Sequence, residues 1–225
     1  MASHEFRTPL SSVNLSAVLI EKYAQQSDTA NIIKHVSKIK NSVNSLTSIL
    51  NDLLSLEKLE AGIVDQSVST FNIVKFAEKL TAEMQLLARQ NQKIIYQHTG
   101  INSKVTLNQS LLKNCIINLI NNAIKYSGDS TFIEFNTEIT KTQLIIIIKD
   151  NGIGIPEEDQ KHLFEAFFRA QNTGNIPGTG LGLNIVTRYT NLMNGQIKFE
   201  SKLNKGTSFN ISLPFQYENN SANRR

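Results

Sequence analysis

Between Asn31 and Leu59, apolar residues fall at Ile32, Val36, Ile39, Val43, Leu46, Leu50 and Leu53, in unbroken steps of four and three. That heptad rhythm gathers them on one seam of a helix, of the kind that packs at shallow angles in coiled coils and four-helix bundles. A helix upstream repeats the pattern with Phe6, Leu10, Val13, Ala17 and Ile20. The polar stretch Gln25–Thr29 separates the two, with Asp28 or Thr29 placed to cap the second helix, and Ala61-Gly62 ends it. Two helices on so short a loop form a hairpin that cannot bury both seams alone. A second copy would close a four-helix bundle, so residues 1–62 are expected to be a dimerisation module. His35 falls beside the seam and is expected to be structural.

Ile63 to Thr70 then reads as a linker, residues 71–217 as a second domain, and 218–225 as a polar, fraying tail. In the second domain the spacing predicts helices over Asn72–Arg89, Gln109–Tyr126 and Leu181–Met193. Strands are predicted at Lys93–His98, Lys104–Leu107, Thr131–Glu138, Gln143–Asp150, Gln196–Ser201 and Thr207–Pro214. Strands and helices without βαβ alternation indicate an α+β sandwich, a mixed sheet covered by helices on one face. Glu157 to Gly178 is a long polar, glycine-containing segment of the length that usually carries function.

Composition removes several classes. The chain has 225 residues and a formal charge of +4 with its Lys and Arg scattered, so no basic run invites nucleic acid. Cys115 is the one cysteine, which excludes a disulfide framework and fits a reducing, cytoplasmic setting. No apolar run approaches the roughly 20 residues a membrane span requires, and no signal peptide is recognisable. No membrane contact is therefore expected of this stretch of chain.

The chemistry sits in short stretches. Ser3-His4-Glu5-Phe6-Arg7-Thr8-Pro9-Leu10 opens the first helix. At about 100° per residue, His4 lies roughly 160° from the apolar seam, and Thr8 about 40° from His4 on the same exposed face. A lone exposed histidine is ordinarily a solvated surface group; the second domain changes that reading. There, Asn118 and Asn122 stand one turn apart on a helix flanked by Ile and Leu, where amides are costly unless they bind something. An amide oxygen suits Mg²⁺, and Lys125 could offset phosphate charge. Asp150-Asn151-Gly152-Ile153-Gly154 ends a buried strand in a carboxylate and two glycines. Leu163-Phe164-Glu165-Ala166-Phe167-Phe168-Arg169 is aromatic and basic, and Gly178-Thr179-Gly180-Leu181-Gly182-Leu183 opens a helix whose N-terminus attracts phosphate. Neither glycine cluster is a Walker or a dinucleotide sequence.

Together and in this order, these stretches resemble the sensor histidine kinases of two-component signalling, over nearly the whole chain. Ser3–Leu10 is similar to the family's H-box, Asn118–Ser127 to its N-box, and Asp150–Pro156 to its first glycine box. Leu163–Arg169 is similar to the F-box, Gly178–Leu183 to the second glycine box, and Gly206-Thr207 to a late pair beside the adenine. The resemblance implies a phosphoacceptor hairpin and an ATP-binding domain shared with gyrase, mismatch-repair ATPases and a chaperone. It implies that Asp150 and Thr207 meet adenine, that Gly152 and Gly154 let backbone approach the nucleotide, and that Asn122, supported by Asn118, ligates Mg²⁺. Lys125 and Tyr126 would contact phosphates or ribose. Gly178, Thr179, Gly180, Leu181, Gly182 and Leu183 would bring the helix N-terminus to the phosphates. Arg169 would stabilise the transferred group, and Glu157–Gly178 would form a lid.

The implied activity is ATP-dependent phosphorylation of His4, with Glu5 as base, then transfer to an aspartate on a response regulator's receiver domain. Thr8 would orient water in the reverse, regulator-dephosphorylating reaction. Two alternatives remain: an ATP-hydrolysing clamp of the gyrase and chaperone type, and a nucleotide-binding scaffold without kinase activity. The clamp relatives place a glutamate where this chain has Asn118, so direct hydrolysis is expected to be slow. His4 follows Met1 by three residues, whereas family members carry several turns before it, so a truncated hairpin and a weakened homodimer are expected.

Overall fold

The computed structural model describes residues 2–100, 102–174, 176 and 178–215, and for residues 2–5 the backbone alone. The chain divides into two compact units, Met1–Ile63 with Pro177–Leu181, and Val64–Ile176 with Gly182–Arg225. The tail expected at 218–225 lies outside the described residues.

The first unit is the expected hairpin, α1 (Ala2–Gln25) and α2 (Thr29–Glu60). Asp28 is the cap: one carboxylate oxygen accepts the Asn31 N–H at 3.1 Å and the other the Asn31 amide at 2.7 Å. These bonds to the charged form hold its carboxyl below the usual carboxylate range. The helix stops at Ala61, followed by Gly62 in the left-handed region at φ +66. The heptad seam is used unevenly. Ile32, Ile39, Leu46 and Leu53, seven apart, are half-buried, whereas Val36, Val43 and Leu50 stay 37%, 47% and 51% exposed. One line of the seam therefore serves the hairpin and the other stays exposed. His35 is buried, stacked 5.7 Å from the Tyr23 ring with Nδ1 3.5 Å from the Ser16 hydroxyl. It fills space inside the hairpin.

The second unit is built on a five-stranded mixed sheet. Its strands are β2 (Lys93–Thr99), β4 (Phe132–Ile139), β5 (Gln143–Asp150), β6 (Gln196–Lys202) and β7 (Gly206–Pro214), in the order β2-β4-β5-β7-β6. β2 runs parallel to β4 and every other pair is antiparallel. Against one face lie α3 (Ile73–Gln85), α4 (Gln109–Tyr126) and α6 (Gly182–Leu192). The run Leu144–Ile148 shows why it is a strand. Leu144, Ile146 and Ile148 are fully buried under the helices, and Ile145 and Ile147 point to the other face, half-exposed. Phe135, Ile133, Leu112, Ile116, Leu119 and Ile120 complete the core, each contributing about 1.5–3 kcal/mol on burial. Cys115 lies among them, fully buried, its thiol pushed up to about 12 by burial.

Three details differ from the sequence reading. Ser69–Asn72, spanning the end of the expected linker and the start of the expected helix, forms a short strand, β1, antiparallel to β3 (Lys104–Leu107) in a separate two-stranded sheet. A four-residue strand has no period to detect, and its partner lies more than thirty residues away. The helix expected to reach Arg89 stops at Gln85, leaving Leu86 87% exposed. The lid segment contains one turn of helix, α5 (Glu157–Gln160), and a 3-10 turn at Gln171–Thr173. Among the described residues, no helix is long and apolar enough to cross a membrane.

Candidate functional site

Helix α4 carries the expected amide stripe. Asn118, Asn122, Lys125 and Tyr126 stand on one half-exposed side, while Leu119, Ile120, Ala123 and Ile124 between them are buried. Asn118 donates its amide to Asn114 O at 2.9 Å. That turns its carbonyl oxygen toward α6, where a Cβ on Gly182 would stand 2.9 Å from it. Glycine at 182 thus lets the start of α6 meet α4 closely. Burial raises the Tyr126 phenol above its usual range, and the charge of Arg169 partly offsets this.

The first glycine loop closes against the end of that helix. Ile153 N–H donates to Tyr126 O at 3.0 Å, and a Cβ on Gly152 would run into the same oxygen and into the Asp150 carboxylate. Gly154, at φ +63, has no room for a side chain against Lys202 O. Asp150, at the last position of β5, is only 7% exposed. Its Oδ1 accepts the Gly152 N–H at 2.8 Å. Burial pushes this carboxyl up to about 6, against the opposing pull of backbone N–H groups of Gly152 and Thr207. Thr207 sits opposite Asp150 in the β5–β7 register, its hydroxyl 2.8 Å from that of Ser201. A buried acceptor thus lies beside a hydroxyl at one end of the sheet, and the Ile153–Tyr126 bond ties it to a stripe of amides and a lysine.

The segment expected to form a lid is tied to this floor by side chains that no sequence motif singles out. Asn172 donates to Gly154 O at 2.8 Å and Asn184 to Phe164 O at 2.9 Å, while within the segment Asp159 Oδ2 accepts the Gln171 N–H at 2.8 Å. Gln160 donates to Ile155 O at 3.0 Å. The F-box ring Phe164 packs edge-on against Phe199 at 5.6 Å. Arg169 turns its guanidinium to the carbonyls of Gly174 and Ile176, so it braces the lid backbone here. Asn172 Oδ1, Asn184 Oδ1 and Arg169 Nε are buried and lack a partner among the described residues. Ser201 could have been found: it falls on the inward side of a strand alternating Ile197, Phe199, Ser201. Asn172 and Asn184 had no such signal, because amides in a loop or a first helical turn are common.

Not every expected site residue belongs to this unit. Gly182 and Leu183 do, whereas Gly178, Thr179, Gly180 and Leu181 group with the helical unit. There Leu181 N–H donates to Thr179 Oγ1 at 3.1 Å, and Gly180 adopts φ +70. Thr8 lies exposed on α1. The side chains of His4 and Glu5 lie outside the described residues. Among the described residues, no three His, Cys, Asp or Glu side chains gather to hold a metal. Neutral amide oxygens together with substrate phosphates are nonetheless a fitting donor set for Mg²⁺, which keeps several waters and binds hard oxygen.

Comparison with known proteins gives two family matches in tandem. The His Kinase A (phospho-acceptor) domain matches residues 1–62. The histidine kinase-, DNA gyrase B-, and HSP90-like ATPase matches residues 107–217. The signal transduction histidine-protein kinase ArlS of Staphylococcus aureus (strain USA300) is 30% identical over 214 residues, covering 93% of this chain and 47% of ArlS. The chain therefore spans about half the length of the curated relatives it matches. Among solved structures, histidine kinase AdeS of Acinetobacter baumannii aligns at TM-score 0.70 and 22% identity, over 95% of this chain and 98% of that one. Histidine kinase ThkA, solved in complex with response regulator protein TrrA, aligns at TM-score 0.71 and 22% identity, over 95% of this chain and 60% of that one.

Proposed function

Because the chain belongs to the sensor histidine kinases of two-component signalling, we propose that it binds ATP in the second unit and phosphorylates its own His4. The observation that carries this reading is the pairing of two features on one floor. One is the buried Asp150 acceptor beside Thr207; the other is the amide stripe of α4, joined to it through the Ile153–Tyr126 bond. A carboxylate oxygen beside a hydroxyl suits the amino edge of adenine. Asn122, Lys125 and Tyr126 suit the rest of a nucleotide, its ribose and its charged phosphates. Asn122 would hold Mg²⁺ with phosphate oxygens, and the ion's chemistry there is to neutralise charge on the transferred group.

The chain's own residues then have these tasks. A neutral ring nitrogen of His4 attacks the γ-phosphorus, an N–P bond forms as the bond to the β-bridging oxygen breaks, and ADP leaves. Glu5 fixes the tautomer and takes the proton from the other ring nitrogen. The lid, anchored by Asn172 and Asn184 and braced within itself by Asp159, excludes water so that the imidazole is the nucleophile. Phosphorylated His4 passes its group to an aspartate of a response regulator, and Thr8 orients water for the reverse activity. The exposed line Val36, Val43 and Leu50 supports a homodimer through the hairpin. A cytoplasmic location is in keeping with these partners.

Titration calorimetry with ATP tests the nucleotide reading. Binding should strengthen on adding Mg²⁺, and Asn122→Ala should remove most of that gain, with the protein still folded by circular dichroism. Equal affinity with and without Mg²⁺ in the wild type would remove Asn122 from its role.

A further inference from the structure

An α-helix ends with four carbonyls that have no partner within it. In α4 these four belong to Ala123, Ile124, Lys125 and Tyr126, within and beside the amide stripe, and each is met from a particular place. Ala123 O accepts the Ser127 N–H at 3.1 Å as well as the Ser127 hydroxyl. Tyr126 O accepts from the first glycine loop through Ile153 N–H at 3.0 Å. The remaining two are met from the loop between α3 and β2. Lys125 O accepts from the Arg89 guanidinium at 2.8 Å, and Ile124 O from the Gln92 amide at 3.4 Å. Gln92 is 2% exposed, and the same Nε2 also donates to the Ser127 hydroxyl at 2.9 Å and to Gly128 O at 3.4 Å. Its own oxygen accepts the Arg89 N–H at 3.1 Å, and its backbone carbonyl accepts the Gln85 amide at 2.8 Å. Gln85 in turn takes the Ile94 N–H at 2.9 Å, so the end of α3, the start of β2 and the end of α4 meet at one buried amide.

We infer that Gln92, seconded by Arg89, is a positioning residue for the nucleotide chemistry: it fixes the last turn of α4 so that Lys125 and Tyr126 stand where the bound nucleotide needs them. The inference rests on the nucleotide reading of the α4 stripe. Nothing about Gln92 touches the nucleotide; it acts through the carbonyls of the turn that does. Every Gln92 bond to α4 and its cap is donated by the amide N–H₂, because Ile124 O and Gly128 O can only accept and the Ser127 hydroxyl proton is given to Ala123 O. An isosteric methionine keeps the volume and loses all of them.

The test measures the affinity of a fluorescent ATP analogue with Mg²⁺, well below the melting transition, for the wild type, Gln92→Met and Arg89→Met, with thermal melting in parallel. Gln92→Met should weaken nucleotide binding about tenfold while remaining folded at the assay temperature. The exposed Arg89→Met should weaken it about threefold with an unchanged melting midpoint. A residue that only packs would lower the melting midpoint and leave affinity alone. A wild type that binds Mg-ATP beside a Gln92→Met that binds within twofold of it overturns the inference. Should Gln92→Met not fold, Arg89→Met decides, and unchanged affinity overturns it. A wild type that fails to bind Mg-ATP overturns the nucleotide reading and this inference with it.

Discussion

Replacing Asp150 with asparagine should stabilise the nucleotide-free second unit at neutral pH while weakening its grip on adenine. The carboxyl is held at about 6 against an ordinary 3.8, with burial as the leading cause. Between those two values the folded state holds a proton that the unfolded chain has already released. Stability therefore falls as pH rises through that window and stays lowered above about pH 6. At about 1.4 kcal/mol per tenfold change in proton affinity, the interval corresponds to a cost of about 3 kcal/mol at pH 7. Asparagine keeps an oxygen for the Gly152 N–H but has no charge to desolvate, so most of that cost should disappear. Urea denaturation of both proteins from pH 4 to pH 7.5, monitored by a probe in the second unit, measures it. Taking the difference cancels carboxylates common to both, such as Asp28 and Asp65, which are held low. The stability advantage of Asp150→Asn should be near zero at pH 4, rise through pH 5, and level off above pH 6. A difference independent of pH would refute the reasoning.

The same contacts set three other outcomes. Gly152→Ala places a methyl group on Tyr126 O and the Asp150 carboxylate, and should cost about 1–3 kcal/mol by denaturation as well as reduced ATP affinity. Val43→Glu puts a charge on the exposed line of the hairpin seam; sedimentation should show a monomer that still binds Mg-ATP, whereas an intact dimer would place the interface elsewhere. Thr8→Ala should leave phosphorylation of His4 within twofold and slow dephosphorylation of the regulator at least tenfold, read from the decay of phosphorylated regulator.

Parts of the molecule were legible in the sequence where a single chemical rule leaves one solution. The heptad of α2 could only be a helix seam, and Asp28 and Thr29 were the residues placed to cap it, of which Asp28 does. Leu144–Ile148 is an apolar run bounded by polar residues and too short for most helices. The one-turn spacing of Asn118 and Asn122 likewise puts both amides on the same half-exposed side of α4, beside buried Leu119, Ile120 and Ala123. What stayed hidden depends on partners distant along the chain. β1 exists because β3 offers an edge, and α3 stops at Gln85, whose side-chain amide donates to Gln92 O. The lid anchors Asn172 and Asn184 are ordinary polar residues until Gly154 O and Phe164 O are brought beside them. The uneven use of the seam, with one heptad line inside the hairpin and the other bare, also emerges only once α1 is docked.

The claim that the nucleotide pocket serves an imidazole at the front of the chain is met most directly by incubating the protein with γ-labelled ATP and Mg²⁺ and testing the stability of the protein-bound label. Label that is lost in acid, kept in base and abolished by His4→Ala is the predicted result. Acid-stable label, or undiminished labelling in His4→Ala, would contradict it.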